Sequence, residues 1–246
     1  MNLLNKFVVA TIPFIPKSIV RIFANRYIAG ETLADAVRCV RQLNGEGVCA
    51  TLDVLGEDIT NTDEAAQSRN QSIEVLHTIA KEKLDSNLSI KLTSLGLKLG
   101  KDICTQNVRE ILKVADAYGT FVRFDMEDST CTSDTIEIFQ TLNKEYPNTG
   151  IVLQAYMRRS EADVTLLAKN RTNFRWCKGI YKEAPAIAFQ GRKEVQDNFL
   201  KILEIMLRNK CYVGIATHDT VLVDGAYEII RKLGMKKNEY EFQMLL

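Results

Sequence analysis

The feature that most constrains the fold of this chain is a repeating rhythm. Seven short apolar runs recur at 48–55, 88–95, 121–126, 150–156, 174–181, 211–216 and 240–246, with starts about 32 residues apart. Each run is rich in β-branched or aromatic residues, and polar residues follow it. Runs of this length and composition read as strands buried on both faces. Amphipathic stretches separate them. Ile73, Leu76, Ala80 and Leu84 share one helical face, and Val108, Ile111, Leu112 and Ala115 share another. Val195, Phe199, Ile202 and Met206 form a further face. Leu222, Ala226, Ile229 and Leu233 form the last, which Gly234 ends. Ser160 and Asp163 read as caps of the helix that carries Val164 and Leu167. Ahead of the first run, Thr32 and Asp35 have the spacing of a capping box, and Asn44-Gly45 stops that helix.

Strands alternating with helices require a parallel sheet with right-handed crossovers. A doubly wound sheet and a (β/α)8 barrel both meet that requirement. No Gly-x-Gly-x-x-Gly follows the first run, and no P-loop occurs anywhere, so the barrel is favoured. The reading is therefore an α/β chain, a (β/α)8 TIM-like barrel at 48–246 behind an N-terminal helical arm at 1–47. A complete barrel takes about 250 residues, and the chain has 246. At about 32 residues per unit, however, the stretch from 48 onward holds six units and a seventh strand. The expectation is an incomplete barrel lacking its last helix, strand and helix.

Composition narrows the function. Lys and Arg total 32 against 31 Asp and Glu, a net charge of +1, with no block of like charge. That leaves no electrostatic footprint for nucleic acid. The apolar fraction of 46% is too high for disorder. Six cysteines form no Cys-x-x-Cys pair and only two histidines occur, so no metal site is expected. Buried, reduced thiols are the default. Residues 1–30 are apolar, but their longest uncharged run, 7–16, is far shorter than the roughly 20 residues of a bilayer span. They read as an arm docked on the domain, with contact at a membrane surface as the alternative.

Barrels of this kind carry their chemistry at the C-terminal ends of the strands. Lys91, Arg123, Asp125, Gln154, Arg175, Lys178 and Gln243 all stand inside otherwise apolar runs, and Thr217 and His218 leave the sixth. Burying such groups costs kilocalories unless each is paired or meets a ligand. Plain structural readings exist for each. Lys91 can pair with Asp125, and Arg123 and Glu127 can face the helices. Gln154 can satisfy backbone, Arg175 and Lys178 can balance acids, and His218 can be a bonded core histidine. Tyr181 and Trp176 can be packing, and His77 lies mid-helix. Two chemistries compete with these readings: a Schiff-base lysine at Lys91 or Lys178, or a ring holding a large anionic cofactor and a small carboxylate. An excess of cations and amides over acids favours the second.

The motifs Lys-Leu-Thr-Ser-Leu-Gly (91–96), Val-Arg-Phe-Asp-Met-Glu-Asp-Ser (122–129) and Gln-Ala-Tyr (154–156) follow one another on successive runs. Arg-Trp-Cys-Lys-Gly-Ile-Tyr-Lys-Glu (175–183), Thr-His-Asp (217–219) and Glu-Phe-Gln-Met-Leu (241–245) continue the series. Together they resemble the proline dehydrogenase family in its short, single-activity, FAD-dependent form. Gly-Glu-Thr-Leu (30–33) and Ala-Thr-Leu-Asp-Val-Leu-Gly-Glu (50–57) fit the same resemblance.

The resemblance implies a distorted (β/α)8 barrel that oxidises L-proline to Δ1-pyrroline-5-carboxylate, the first step of proline catabolism. Hydride would pass to FAD and electrons onward to a quinone. It implies a cytoplasmic protein, peripheral to the inner face of a membrane. Lys91 would hold the proline carboxylate against Asp125. Asp125, Arg175 and Tyr181 would be catalytic. Gln154, Arg175, Lys178, Gly179, Thr217 and His218 would contact FAD, with Gly179 admitting the cofactor close to the backbone. Met244 and Leu245 would line an apolar side. Ile180 stands where the family has a small alanine, and crowding is expected there. The family continues beyond the seventh strand to a tyrosine and an arginine pair that clamps the carboxylate. Without them, impaired activity is expected, and a flavin-binding or interaction remnant is the alternative.

Overall fold

The computed structural model describes residues 30, 32–56 and 59–245. Most of the arm expected at 1–47 lies outside the described residues. The described part of it is helix α1, Leu33–Gly45. Thr32 caps it with the expected box: its hydroxyl oxygen accepts from the Asp35 N–H, and the Asp35 carboxylate accepts from Thr32.

The rest is a strict alternation. Strands β1 (Ala50–Asp53), β2 (Ser86–Ile90), β3 (Val122–Phe124), β4 (Thr149–Gln154), β5 (Asn173–Cys177), β6 (Val213–Ala216) and β7 (Tyr240–Gln243) lie in chain order, every neighbour parallel. The connecting helices are α2 (Thr62–Glu82), α3 (Lys101–Tyr118), α4 (Thr132–Glu145), α5 (Ser160–Leu167), α6 (Arg192–Arg208) and α7 (Thr220–Leu233). Gly234 ends α7 in the left-handed conformation, as its position predicts. Among the described residues, β1 and β7 are the two edges of the sheet. No helix among them is long and apolar enough to cross a membrane.

The two faces of the sheet have opposite chemistry. Leu88, Ile90, Val122, Phe124, Ile151, Leu153, Phe174, Trp176, Val213 and Ile215 point outward and are buried under the helices. Phe124 meets Phe139 of α4 edge-on, with ring centroids 5.3 Å apart. Trp176 packs on Phe199 of α6 at 5.6 Å, and its indole N–H donates to the Phe199 carbonyl at 3.0 Å. The alternate residues point inward and are mostly polar.

The sheet is curled. Arg175 on β5 donates to the Ser89 hydroxyl on β2 at 3.2 Å. In a flat sheet, strands three places apart stand roughly 14 Å apart, so these residues meet only across a closing arc. Two inward glycines make room for the polar filling. A Cβ on Gly150 would lie 2.6 Å from Arg123 Nη1, and one on Gly214 would lie 2.6 Å from Gln243 Nε2.

Arg123 keeps its place among the inner polar residues rather than facing the helices: it shares the inner face with Asp125 and is fully buried. Three expectations need correction. Ser160 and Asp163 do not cap α5. Ser160 donates its hydroxyl to the Gln154 carbonyl, and Asp163 binds Arg159. The run at 88–95 is not one strand, because β2 stops at Ile90 and Thr93–Leu95 forms a 3-10 turn closed by Gly96 at φ +101°. The six cysteines are unpaired as expected, but only Cys104, Cys131 and Cys211 are buried and Cys49 is exposed.

Trp176 joins sheet to helix by both packing and a hydrogen bond. Trp176→Ala is expected to lower the unfolding free energy by about 3–5 kcal/mol, measured by urea titration. A loss under about 1 kcal/mol would mean that this contact does not hold α6 to the sheet.

Candidate active site

The inward polar residues sit at successive levels rather than in one ring. Ser89, Arg123, Gly150 and Asn173 are register partners across β2 to β5, and Asp53 of β1 pairs with Ser89. Asp125 stands one inward position above Arg123 and Lys91 one above Ser89, both just past their strand ends. Arg175 is level with Val152, Gly214 and Glu241. Gln154, Cys177, Ala216 and Gln243 form the next line.

Asp125 is the meeting point. Its carboxylate accepts from Arg175 Nη1 at 2.9 Å and from the Ser89 hydroxyl at 2.6 Å, and Lys91 Nζ lies 3.7 Å away. Lys91 also pairs with Asp53. Arg175 donates its Nε–H to Gln243 Oε1 at 2.6 Å. Lys91 and Arg175 are 15% and 17% exposed at the side chain, so these pairs sit in reduced dielectric and are attached at both ends. Burial works against the Lys91 charge, but the Asp53 carboxylate outweighs it and holds the ammonium pKa above its ordinary value. Burial raises Asp53 in turn, with Lys91 opposing.

Arg123 lies below this group. It donates to the backbone and side-chain oxygens of Asn173 at 3.2 and 2.8 Å and rests over the Phe121 ring. Burial, with the Arg175 charge adding to it, pushes its pKa down to about 9.

A second cluster forms the rim between β5 and β6. Lys178 pairs with Asp219 at 3.3 Å, and Arg192 reaches the same carboxylate at 3.4 Å. Gln196 donates to it at 3.1 Å. Thr217 accepts from the Asp219 N–H at 3.0 Å. His218 is exposed, and its Nε2 accepts from the Leu245 N–H at 3.0 Å, tying the exit of β7 to that of β6. Gly179 has φ +101°, and a Cβ there would strike the Tyr156 ring at 2.2 Å. The close approach that glycine permits here is to Tyr156. Tyr181 follows in the same loop, half-buried. Ile180 is 89% exposed, and Met244 and Leu245 are exposed as well.

Gln154 is buried on β4. Its amide nitrogen donates to the Met126 carbonyl at 3.1 Å, while Oε1 has no partner. An orphaned buried acceptor is costly and points to a donor from outside the protein.

The structure thus brings Lys91, Asp125 and Arg175 together, and groups Lys178, Gly179, Thr217 and His218 along the rim. The sequence reading omitted Asp53, Ser89 and Glu241. Asp53 carries the signal that marked Lys91, a charge inside an apolar run. Glu241 carries it too, inside the run 240–246, whereas Ser89 carries none, because a serine in a strand is unremarkable. With Asp53 and Glu241 included, the inner acids Asp53, Asp125 and Glu241 equal the inner cations Lys91, Arg123 and Arg175, so the excess over acids comes from the amides Gln154, Asn173 and Gln243.

Burial pushes the Asp219 pKa up, but the Gln196 and Lys178 hydrogen bonds and the two cations outweigh it and leave it below 3.8. A carboxyl lowered by folding contributes stability above its unfolded pKa and loses it as pH falls through the folded value. The stability gap between the native chain and Asp219→Asn is therefore expected to be largest near neutral pH and to close below the ordinary value of 3.8. Urea titrations across that range measure it; a gap independent of pH would contradict the assignment.

Comparison with known proteins gives a consistent result. The sequence profile of proline dehydrogenase matches residues 36–246. Proline dehydrogenase 2 of Bacillus subtilis subsp. natto is 36% identical over 225 residues, spanning 92% of this chain and 74% of that protein. Proline dehydrogenase of Deinococcus radiodurans is 33% identical over 227 residues, 90% of this chain and 73% of that one. Among solved structures, proline utilization A of Bdellovibrio bacteriovorus, inactivated by N-propargylglycine, superposes with a TM-score of 0.85 at 26% identity. That match covers 93% of this chain and 29% of the larger protein. A curled parallel sheet with its polar residues inside and this run of relatives place the chain in the proline dehydrogenase family.

Proposed function

We propose that this chain is an FAD-dependent oxidoreductase that converts L-proline to Δ1-pyrroline-5-carboxylate and passes the electrons to a quinone. The observation that carries the reading is the inward group Lys91, Asp125 and Arg175, held together at a strand-end position.

The donor set suits a flavin. A flavin ring presents several acceptors and one N–H donor. The unpartnered Gln154 Oε1 suits the donor, and the Arg175 guanidinium suits an acceptor edge. Lys178 and Arg192, exposed at 43% and 77%, present cations to phosphate, with Gly179, Thr217 and His218 beside them. Bound FAD would supply the two-electron acceptor, taking hydride from C5 of proline.

The chain's residues provide binding and electrostatics. The Lys91 ammonium stays protonated through neutral pH because of Asp53, and it offers its charge to the proline carboxylate. Asp125 orients Lys91 and Arg175 from one point. Arg175 would stabilise the negative charge that the acceptor gains as it takes the hydride, at an edge held by Asp125. The proline nitrogen must first give up a proton to water, because its lone pair forms the C=N bond as hydride leaves C5. Tyr181 is assigned a place beside substrate and cofactor. A Schiff-base role for Lys91 is disfavoured, since a nucleophilic amine needs a lowered pKa and this one is raised.

The test is direct. The 246-residue chain, reconstituted with FAD, is expected to show a flavin spectrum that L-proline bleaches without oxygen and a quinone analogue restores. Lys91→Met is expected to raise the proline concentration for half-maximal bleaching about tenfold or more, with flavin binding retained. A flavin spectrum that proline leaves unchanged would instead favour a non-catalytic flavin-binding chain. Failure to retain flavin would overturn both readings.

A further inference from the structure

Gln243 is a polar residue inside the last strand to which the reading above gives no task. We propose that Gln243 is a positioning residue for Arg175, holding the guanidinium by its Nε edge and anchoring it to Glu241 and Tyr212. The proposal rests on the role assigned to Arg175 and explains how that side chain keeps its orientation.

Donor and acceptor chemistry dictates the arrangement. Arginine only donates, so the Gln243 oxygen must face Arg175 Nε, at 2.6 Å. The Gln243 amide nitrogen is then left as a donor, and it meets the Glu241 carboxylate. The second Glu241 oxygen accepts from the Tyr212 hydroxyl at 3.0 Å. The bonds converge on Glu241, which accepts from Gln243 on one side and Tyr212 on the other, and no atom in the chain is asked both to donate and to accept. A carboxamide accepts at one end and donates at the other. A glutamate in that position would face Glu241 with like charge, and a leucine would leave Nε–H unpaired.

The backbone is shaped for the same contact. Gly214 is the register partner of Glu241 and the neighbour of Arg175 across β5 and β6. A Cβ there would lie 2.6 Å from Gln243 Nε2 and 3.2 Å from Glu241 Oε1. The amide therefore occupies volume that only glycine leaves open. From the other side, Asp125 and Ser89 hold Nη1 of Arg175 at 2.9 and 3.2 Å. A planar guanidinium pinned at Nε from β7 and at Nη1 from β2 and β3 has its plane fixed.

The experiment uses the full chain. The Arg175 Nε–H resonance, assigned by its loss in Arg175→Lys, is read in 15N spectra for protection from solvent exchange. Protection is expected in the native chain and is expected to vanish in Gln243→Leu. In the FAD-loaded chain, Gln243→Leu is expected to slow proline bleaching about tenfold at saturating proline, with half-saturation unchanged. Gln243→Glu is expected to slow it similarly, and adding Glu241→Gln to that variant recovers most of the loss, because the single negative charge and the bond directions are restored. Persistent Nε–H protection in Gln243→Leu, or no recovery on adding Glu241→Gln, would overturn the proposal. If Arg175→Met leaves proline bleaching unchanged, or if proline fails to bleach the native chain, the functional reading falls instead, and the resonance still decides the positioning.

Discussion

The ion pair between Asp125 and Arg175 is the interaction on which the interior depends. A parallel sheet flanked by helices buries its outer face against apolar side chains. Curling the sheet then buries its inner face as well, and here that face is polar. Charges in such a place are tolerable only when they satisfy one another. Asp125 does most of this, accepting from β2 and β5 and drawing Lys91 toward it. Around it, Asp53, Asp125 and Glu241 stand against Lys91, Arg123 and Arg175. The interior is charge-balanced rather than cationic, so a ligand there is recognised by the direction of individual hydrogen bonds, not by bulk attraction.

Arg123 shows how the balance is kept at distance. Among the described residues its hydrogen bonds go to neutral oxygens of Asn173, and its Nε has no partner. A cation buried that deeply is expensive. The opposing contributions come from Glu241 and from Asp125, one inward position above it. Arg123 and Arg175 repel while sharing these acids, which makes the two levels electrostatically dependent on each other. Gly150 is part of the same solution, because any side chain there would displace the guanidinium from Asn173.

Much of this was legible in the sequence, for identifiable reasons. Strand positions followed from apolar runs because parallel strands are buried on both faces, and the seven observed strands begin within two residues of the expected starts. Charges interrupting those runs marked Lys91, Asp125 and Arg175, since a buried charge is rare enough to be informative. What failed was direction. The helix side stayed open for Arg123 as an alternative although it shares parity with Asp125, and alternation in a strand puts both on one face. Ser160 followed capping statistics, yet its hydroxyl closes on the carbonyl of Gln154 at the end of the preceding strand. Gly179 was read as making way for a cofactor, and its missing side chain also leaves room for Tyr156, which the sequence did not signal. Such partners lie in three dimensions and leave no local trace.

The two clusters differ in a way that burial alone explains. Lys178 and Arg192 are well exposed, although the carboxylate they share is buried. An attraction across that boundary is screened by water and salt, and exposed pairs contribute little on average. The Asp125–Arg175 pair has both members largely withdrawn from water, so the same separation produces a stronger interaction and a stiffer geometry. The rim cations are exposed enough to meet a second anion while Asp219 keeps its hydrogen bond from Gln196. The inner group cannot lose a partner without stranding a charge. Adaptable contacts therefore belong to the rim and fixed geometry to the interior, which is the division needed when an extended anion must be gripped outside and a small reacting centre oriented within.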